Sequence, residues 1–328
     1  MAQLPSPRGP ITEFVFGELE MGSHELAADV PPLREDDPLC GDDFHLALYA
    51  CYELHYRSFD GIDARWEWEP SLLAFRRDLE ERFERALCAE VGHEPVEGRS
   101  VSAMLIELSA EGDGPSLSSF LAREGNPEHF DEFLIHRSAY HLKEADPHSF
   151  AIPRLSGKAK AALIEIQADE YGGGSAPRMH AALFAKTMRA LGLDDTYGRY
   201  LDRIPGVTLA TVNLMSLFGL HRRWRGALAG HLAVFELTSS IPNRRYGDGL
   251  RRNGFGEQST DFFDEHVVAD SVHDMIAAYD LAGSLVEAEP ELAADVIFGG
   301  RALMTLERRF AEHVLGCWER GASSLLPV

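Results

Sequence analysis

From residue 128 to residue 321 apolar side chains return at spacings of three and four, and strand-like alternation is nearly absent. That period lines one face of a helix and excludes a sheet as the main framework. Predicted helices cover roughly 128–145, 156–171, 176–191, 196–204, 206–238, 259–285 and 290–321. The turn clusters "EADPHSF", "YGGGSAP", "GLDD", "SSIPNRRYGDG", "NGFG" and "EAEPE" separate them. Upstream, "FHLALYACYELHYRSF" (44–59) and "SLLAFRRDLEERFERALCAEV" (71–91) read as two more helices, the second with Ser71 as its N-cap. Residues 1 to about 42, rich in Pro, Gly and Asp, read as a mostly irregular arm with at most one helix. The expected fold is all-α: a bundle over 115–328 behind an arm and helical extension over 1–114. Trp66 and Trp68 are expected to pack that extension onto the bundle.

Charge narrows the partners. Acidic residues outnumber basic ones 53 to 31, a formal net charge of -22. Nucleic acid and anionic membrane surfaces are therefore excluded as main partners, because both demand a basic face. No apolar run reaches the roughly 20 residues needed to span a bilayer. The four cysteines, at 40, 51, 88 and 317, show no paired spacing. With no signal peptide in "MAQLPSPRGPITEF", a cytoplasmic, reducing location is expected.

The chemistry shows where polar residues interrupt the apolar stripes. His266, Asp270 and His273, in "HVVADSVH", lie within about 60° of one another on a helix, on the face of Phe262, Phe263, Ala269 and Ala277. Glu170 prolongs the stripe of Leu163 and Ile166. Across "YGGGSAP", His180 begins the stripe of Leu183, Phe184, Thr187 and Leu191. The glycines end one helix, and Pro177 is expected in the first turn of the next. Glu144 follows Phe130, Phe133, Arg137 and Tyr140, and Glu236 shares a face with Ala229, Leu232 and Ala233. Taken singly, each of these is as readily a salt-bridged or capping group. Together they put acids and imidazoles from several helices into one apolar interior. Such groups need partners, and histidine with carboxylate suits iron. Arg137, Arg244 and Arg245 are candidate clamps for a substrate carboxylate, against the alternatives of a salt bridge for Arg137 and a solvated turn for the other two.

The stretch "KEADPHSFAIPRLSGKAKAALIEIQADEYGGGSAPRMHAALFAKTMRALGLDD", followed by the HxxxDxxH of 266–273, resembles the heme-oxygenase-like diiron oxidase superfamily, the iron-containing redox enzymes. The resemblance covers about 115–320, and "YELHYRSFDGIDARWEWEP" upstream is similar to one bacterial branch. It implies a heme-oxygenase-like seven-helix up-and-down bundle holding two iron ions, with dioxygen as cosubstrate. It implies Glu144, Glu170, His180, His266, Asp270 and His273 as ligands, with Glu236 where N-oxygenating members add a carboxylate. The implied reactions are oxygenation of an amine nitrogen, which Glu236 favours, or hydrogen abstraction that desaturates or cleaves a carbon chain. The implied substrate is a small amine, amino acid or carboxylate, with an external reductant. By the same resemblance 259–280 is a segment that orders with iron, and a homodimer is a common assembly.

Other uses of such a bundle fit less well. A heme site needs one proximal histidine and a broad pocket. A hydrolase on this bundle would need a cysteine nucleophile, and all four cysteines lie outside 89–316. A ferritin-like site would show two ExxH motifs, whereas the chain has one, Glu90–His93, broken by Gly92. A metal-free interaction protein would have to neutralise the inward acids with arginines, of which Arg137 is the clear candidate.

Overall fold

The computed structural model describes residues 2–26, 37–96, 98–110 and 114–327, with the backbone alone at 270–272. In chain order the helices are α1 (Pro10–Leu19), α2 (Asp42–Glu53), α3 (Pro70–Val91), α4 (Val101–Ala110), α5 (Leu117–Arg123), α6 (Pro127–His141) and α7 (Asp146–Ser149). They continue as α8 (Gly157–Glu170), α9 (His180–Ala190), α10 (Gly206–Leu220), α11 (Arg225–Leu237), α12 (Ser240–Arg252), α13 (Glu257–Met275), α14 (Ser284–Ala288) and α15 (Ala293–Glu319). Among the described residues the only β pairing is an isolated bridge between Ala2 and Phe59. No helix among them is long and apolar enough to cross a membrane.

The extension is built into the core. From Asp43 to Glu53 every residue of α2 is buried, and the helix packs along α10. One large apolar core runs from Ala2 through α2, α10, α11 and α15 to Leu325. A second, aromatic core gathers Phe130, Phe133, Phe184, Phe262, Phe263 and Phe310. Within the large core α11 and α15 cross backbone to backbone. A Cβ on Gly230 would collide with the Val296 carbonyl, and one on Gly299 with that of Ala227. Trp66 is fully buried and donates its indole N–H to the Met21 carbonyl, a contact within the extension itself. Trp68 is instead exposed.

Several predicted boundaries move, for local reasons. The segment "SSIPNRRYGDG", expected as a turn, is helix α12. Pro242 falls in its first turn, where a proline costs no intrahelical hydrogen bond. Gly249 leaves room for the Leu121 carbonyl and the Phe130 ring, so α12 packs against α5. Pro177 sits in a short 3₁₀ turn, and α9 begins only at His180. The helix expected through residue 145 ends at His141, so Glu144 lies in the turn beyond it. The long segment 206–238 breaks at His221, which is extended and leads into a 3₁₀ turn at Arg222–Trp224. Residues 196–204 hold turns and a 3₁₀ turn at Leu201–Arg203. Glu69 rather than Ser71 caps α3, its carboxylate accepting the Ser71 N–H. Beyond Met275 the chain widens into a π-helix over Ile276–Gly283, a device that re-aims side chains near functional sites.

Candidate metal centre

The loop after α8 explains how Glu170 and His180 meet. Glu170 is the last residue of α8, and Gly172, Gly173 and Gly174 follow with φ of 64°, 60° and 84°. A Cβ on Gly172 would strike the Arg178–Met179 peptide, so only glycine lets the chain fold back this tightly. The reversal starts α9 at His180 and leaves its Nδ1 3.0 Å from Glu170 Oε2.

Glu144 enters from the turn beyond α6, and His266 from α13. Glu144 Oε1 accepts from His141 Nδ1 at 2.9 Å and lies 3.8 Å from His266 Nε2. The His180 and His266 rings are 4.4 Å apart. His266 donates Nδ1–H to the Phe262 carbonyl at 2.7 Å, which fixes the tautomer and turns the Nε2 lone pair toward the acids. On the far side His273 gives Nε2 to Asp169 at 2.9 Å, and its Nδ1 stands 3.8 Å from Glu236 Oε2.

These side chains form two groups with one member in common. Ligand atoms of Glu144, Glu170, His180 and His266 all lie within 4.8 Å of one another, and so do those of Glu170, Glu236 and His273. Every one of the six residues is buried. Asp270, the remaining expected ligand, lies outside the described side chains.

Does a cation fit there? Glu144 Oε2, His180 Nδ1 and His273 Nδ1 are buried and make no hydrogen bond. The 3.0 Å approach of His180 to Glu170 is thus an ion-pair contact without hydrogen-bond alignment. Buried acceptors without donors are costly, and a positive ion between them removes that cost. Burial raises the Glu144 carboxyl, but His141 and His266 outweigh it and hold the acid below its ordinary range. Burial lowers the His180 imidazole, and Glu170 outweighs it in the other direction. Tyr140 is kept a neutral phenol by burial and by the nearby charges of Glu144, Glu170 and Glu236. A gap of about 10 Å³ between Tyr140, Glu144, Glu170, Glu236 and His266 is the size of one small sphere. Carboxylates with imidazole nitrogens are a donor set for iron rather than for magnesium or calcium.

A cavity of about 650 Å³ reaches this centre, with Glu144, His141 and His266 on its wall. Arg137 lines it but is held by Glu307 through two hydrogen bonds, of 2.8 and 2.7 Å, so it is not a free clamp. Its guanidinium also stacks over Phe310. Arg244 is exposed and lies off the cavity wall, because consecutive residues on α12 point about 100° apart. Arg245 is the member of that pair which faces the cavity.

Sequence reasoning missed the groups that hold the ligands. Asp169 was invisible because it is largely solvent-exposed and reaches His273 only where α13 crosses the end of α8. His141 did carry a signal, standing three residues before Glu144. His148 and His231 form a buried pair at 3.2 Å, and His148 borders the central gap. Burial pushes His148 down to about 4, so it stays neutral. His136 is structural, bound by Thr208 and Ser324.

A family model described as an iron-containing redox enzyme matches residues 131–308, more than half of the chain. A nitrosourea synthase from Streptomyces achromogenes subsp. streptozoticus is 28% identical over 157 residues, covering 48% of this chain. The match spans 33% of that larger protein. The all-α architecture, the buried acid–imidazole cluster and the family match agree: the chain belongs to the iron-containing redox enzymes of the heme-oxygenase-like superfamily and is an oxidoreductase.

Proposed function

We propose that the chain is a dioxygen-dependent, non-heme diiron oxygenase of a small organic substrate, with oxygen transfer to nitrogen as its reaction. The observation that carries this reading is the pair of ligand groups sharing Glu170. One iron would be held by Glu144, Glu170, His180 and His266, and the other by Glu170, Glu236 and His273, with Asp270 from the same helix. Glu236 supplies the second group with a further carboxylate. That extra anion, and the likeness to a protein named for nitrosourea synthesis, favour nitrogen over carbon as the oxidised atom.

Iron, when bound, supplies dioxygen activation and redox change. This chain's own residues supply the rest. The Phe262 carbonyl and Asp169 each hold one histidine N–H and so aim the opposite nitrogen. The His141 hydrogen bond steadies Glu144 between cavity and centre. Phe133, Phe184, Phe235 and Phe263 keep that end of the cavity dry. Electrons would come from an external reductant, and the four free thiols suit a reducing compartment.

The test is anaerobic loading with ferrous salt, iron counting and exposure to labelled dioxygen with a panel of amines and amino acids. Two irons per chain, a transient visible band and label on nitrogen are the expected result. Label-free alkene or cleaved product would reassign the reaction to desaturation or carbon–carbon cleavage. Loading without any reaction toward dioxygen would remove the oxygenase reading.

A further inference from the structure

The charges on the cavity wall do not balance. Arg137 is neutralised by Glu307, and Arg308 pairs with Glu312 at 2.9 Å. Arg245 has no carboxylate partner among the described residues. Its Nη1 makes only long contacts with Ser116 Oγ (3.4 Å) and Ser118 Oγ (3.3 Å). It is half-buried, in a cavity of about 650 Å³, within the range of about 300–1,000 Å³ that small-molecule sites span. Asn243 and Ser239 add hydrogen-bonding groups from the same stretch of chain.

The remaining wall has the opposite character. Phe133, Phe184, Phe235, Phe263, Leu303 and Phe310 all line it, and Glu144 and His266 mark its end at the metal centre. Away from the metal centre the cavity's acid is engaged, Glu307 by Arg137, and at the centre Glu144 Oε1 is taken by His141. The carboxylate oxygen left over is Glu144 Oε2, at the inner end of the cavity and part of the metal centre. A carboxylate would find one guanidinium with donors to give, in the fork geometry that recognises it.

We propose that this cavity binds an elongated carboxylate, with its anionic head on Arg245 and an uncharged apolar or aromatic body along the phenylalanine wall. The far end of the molecule, neutral nitrogen or carbon, then meets Glu144 and His266. Only this direction of approach rests on the metal-centre reading; the recognition of the head does not.

The test uses metal-free full-length protein and calorimetric titration with decanoate and decan-1-ol. Decanoate is expected to bind about tenfold or more tightly than decan-1-ol, the scale of a hydrogen-bonded charge contact. Arg245→Gln is expected to erase the preference for decanoate and leave decan-1-ol unchanged. Arg245→Lys keeps part of the preference, and Arg244→Gln keeps all of it. In the parent the preference should shrink as salt rises, a reading that needs no variant. Equal binding of decanoate and decan-1-ol by the parent would overturn the proposal. So would unchanged decanoate affinity in a helical Arg245→Gln, or no decanoate binding at millimolar concentration. Iron counts on the same preparations keep the two readings apart. A carboxylate preference in a protein that takes up no iron would sink the metal centre and spare this site.

Discussion

Glu170→Ala is expected to leave the protein with at most one iron per chain after anaerobic ferrous loading, against two for the parent. Glu170 is the residue common to both ligand groups, so its loss strips a carboxylate from each. What remains is Glu144, His180 and His266 on one side and Glu236 and His273, with the proposed ligand Asp270, on the other. Neither side keeps a carboxylate shared with its neighbour, so the pair of ions loses its link. His266→Ala is the useful companion, because it touches only the first group. It should also cost one equivalent while leaving the Glu236–His273 side intact. Neither change should unfold the protein. Glu170 caps no helix with its side chain, and truncating it removes negative charge from a crowded acidic interior. Iron counting with circular dichroism as the folding control checks both variants. Full loading in each would overturn the ligand assignment.

The largest effect on stability is expected from Glu53→Ala. Lys143 is 1% exposed, and its ammonium meets Glu53 Oε2 at 2.9 Å, with Glu53 itself fully buried. Tyr197 donates its hydroxyl to the same oxygen at 2.7 Å. The rings of Tyr49 and Tyr56 lie over the ammonium at 4.7 and 4.2 Å. Deleting the carboxylate leaves a buried cation without its ion-pair partner, between the Tyr49 and Tyr56 rings. Breaking one half of such a pair costs about 3–5 kcal/mol. Removing both charges, in Glu53→Leu with Lys143→Met, should recover much of that loss, since a buried pair gains little over apolar side chains of similar size. Denaturant midpoints of the single and double variants measure this. Equal stability of Glu53→Ala and the parent would show that the pair is hydrated in solution. The pair also ties α2 of the extension to the residue before Glu144, so the single variant should weaken iron retention as well.

Why some of this was legible in the sequence and some was not follows from the range of the interactions. Phase along one helix is local, so the inward aim of Glu170, His180, His266 and His273 could be read from their apolar neighbours. The triple glycine announced the tight reversal that joins the first two. Glu236 could be phased too, although only the assembled bundle brings it to within 3.8 Å of His273. Boundaries were less legible. Glycine and proline in "SSIPNRRYGDG" carried a turn signal, yet the glycine there serves close packing of α12 on α5, a tertiary demand. The same error put Arg244 and Arg245 on one footing. On a helix they diverge, and only Arg245 reaches the cavity. Asp169 and Glu307 act across helices, through His273 and Arg137, so no local pattern marks them.

The central claim is that two cations hold these acids and imidazoles together. Anomalous diffraction at the iron edge, from crystals grown anaerobically with ferrous salt, tests it most directly. The expected map has two iron peaks per chain, one among Glu144, Glu170, His180 and His266, the other among Glu170, Glu236 and His273. A single peak, or peaks remote from Glu170, would contradict it.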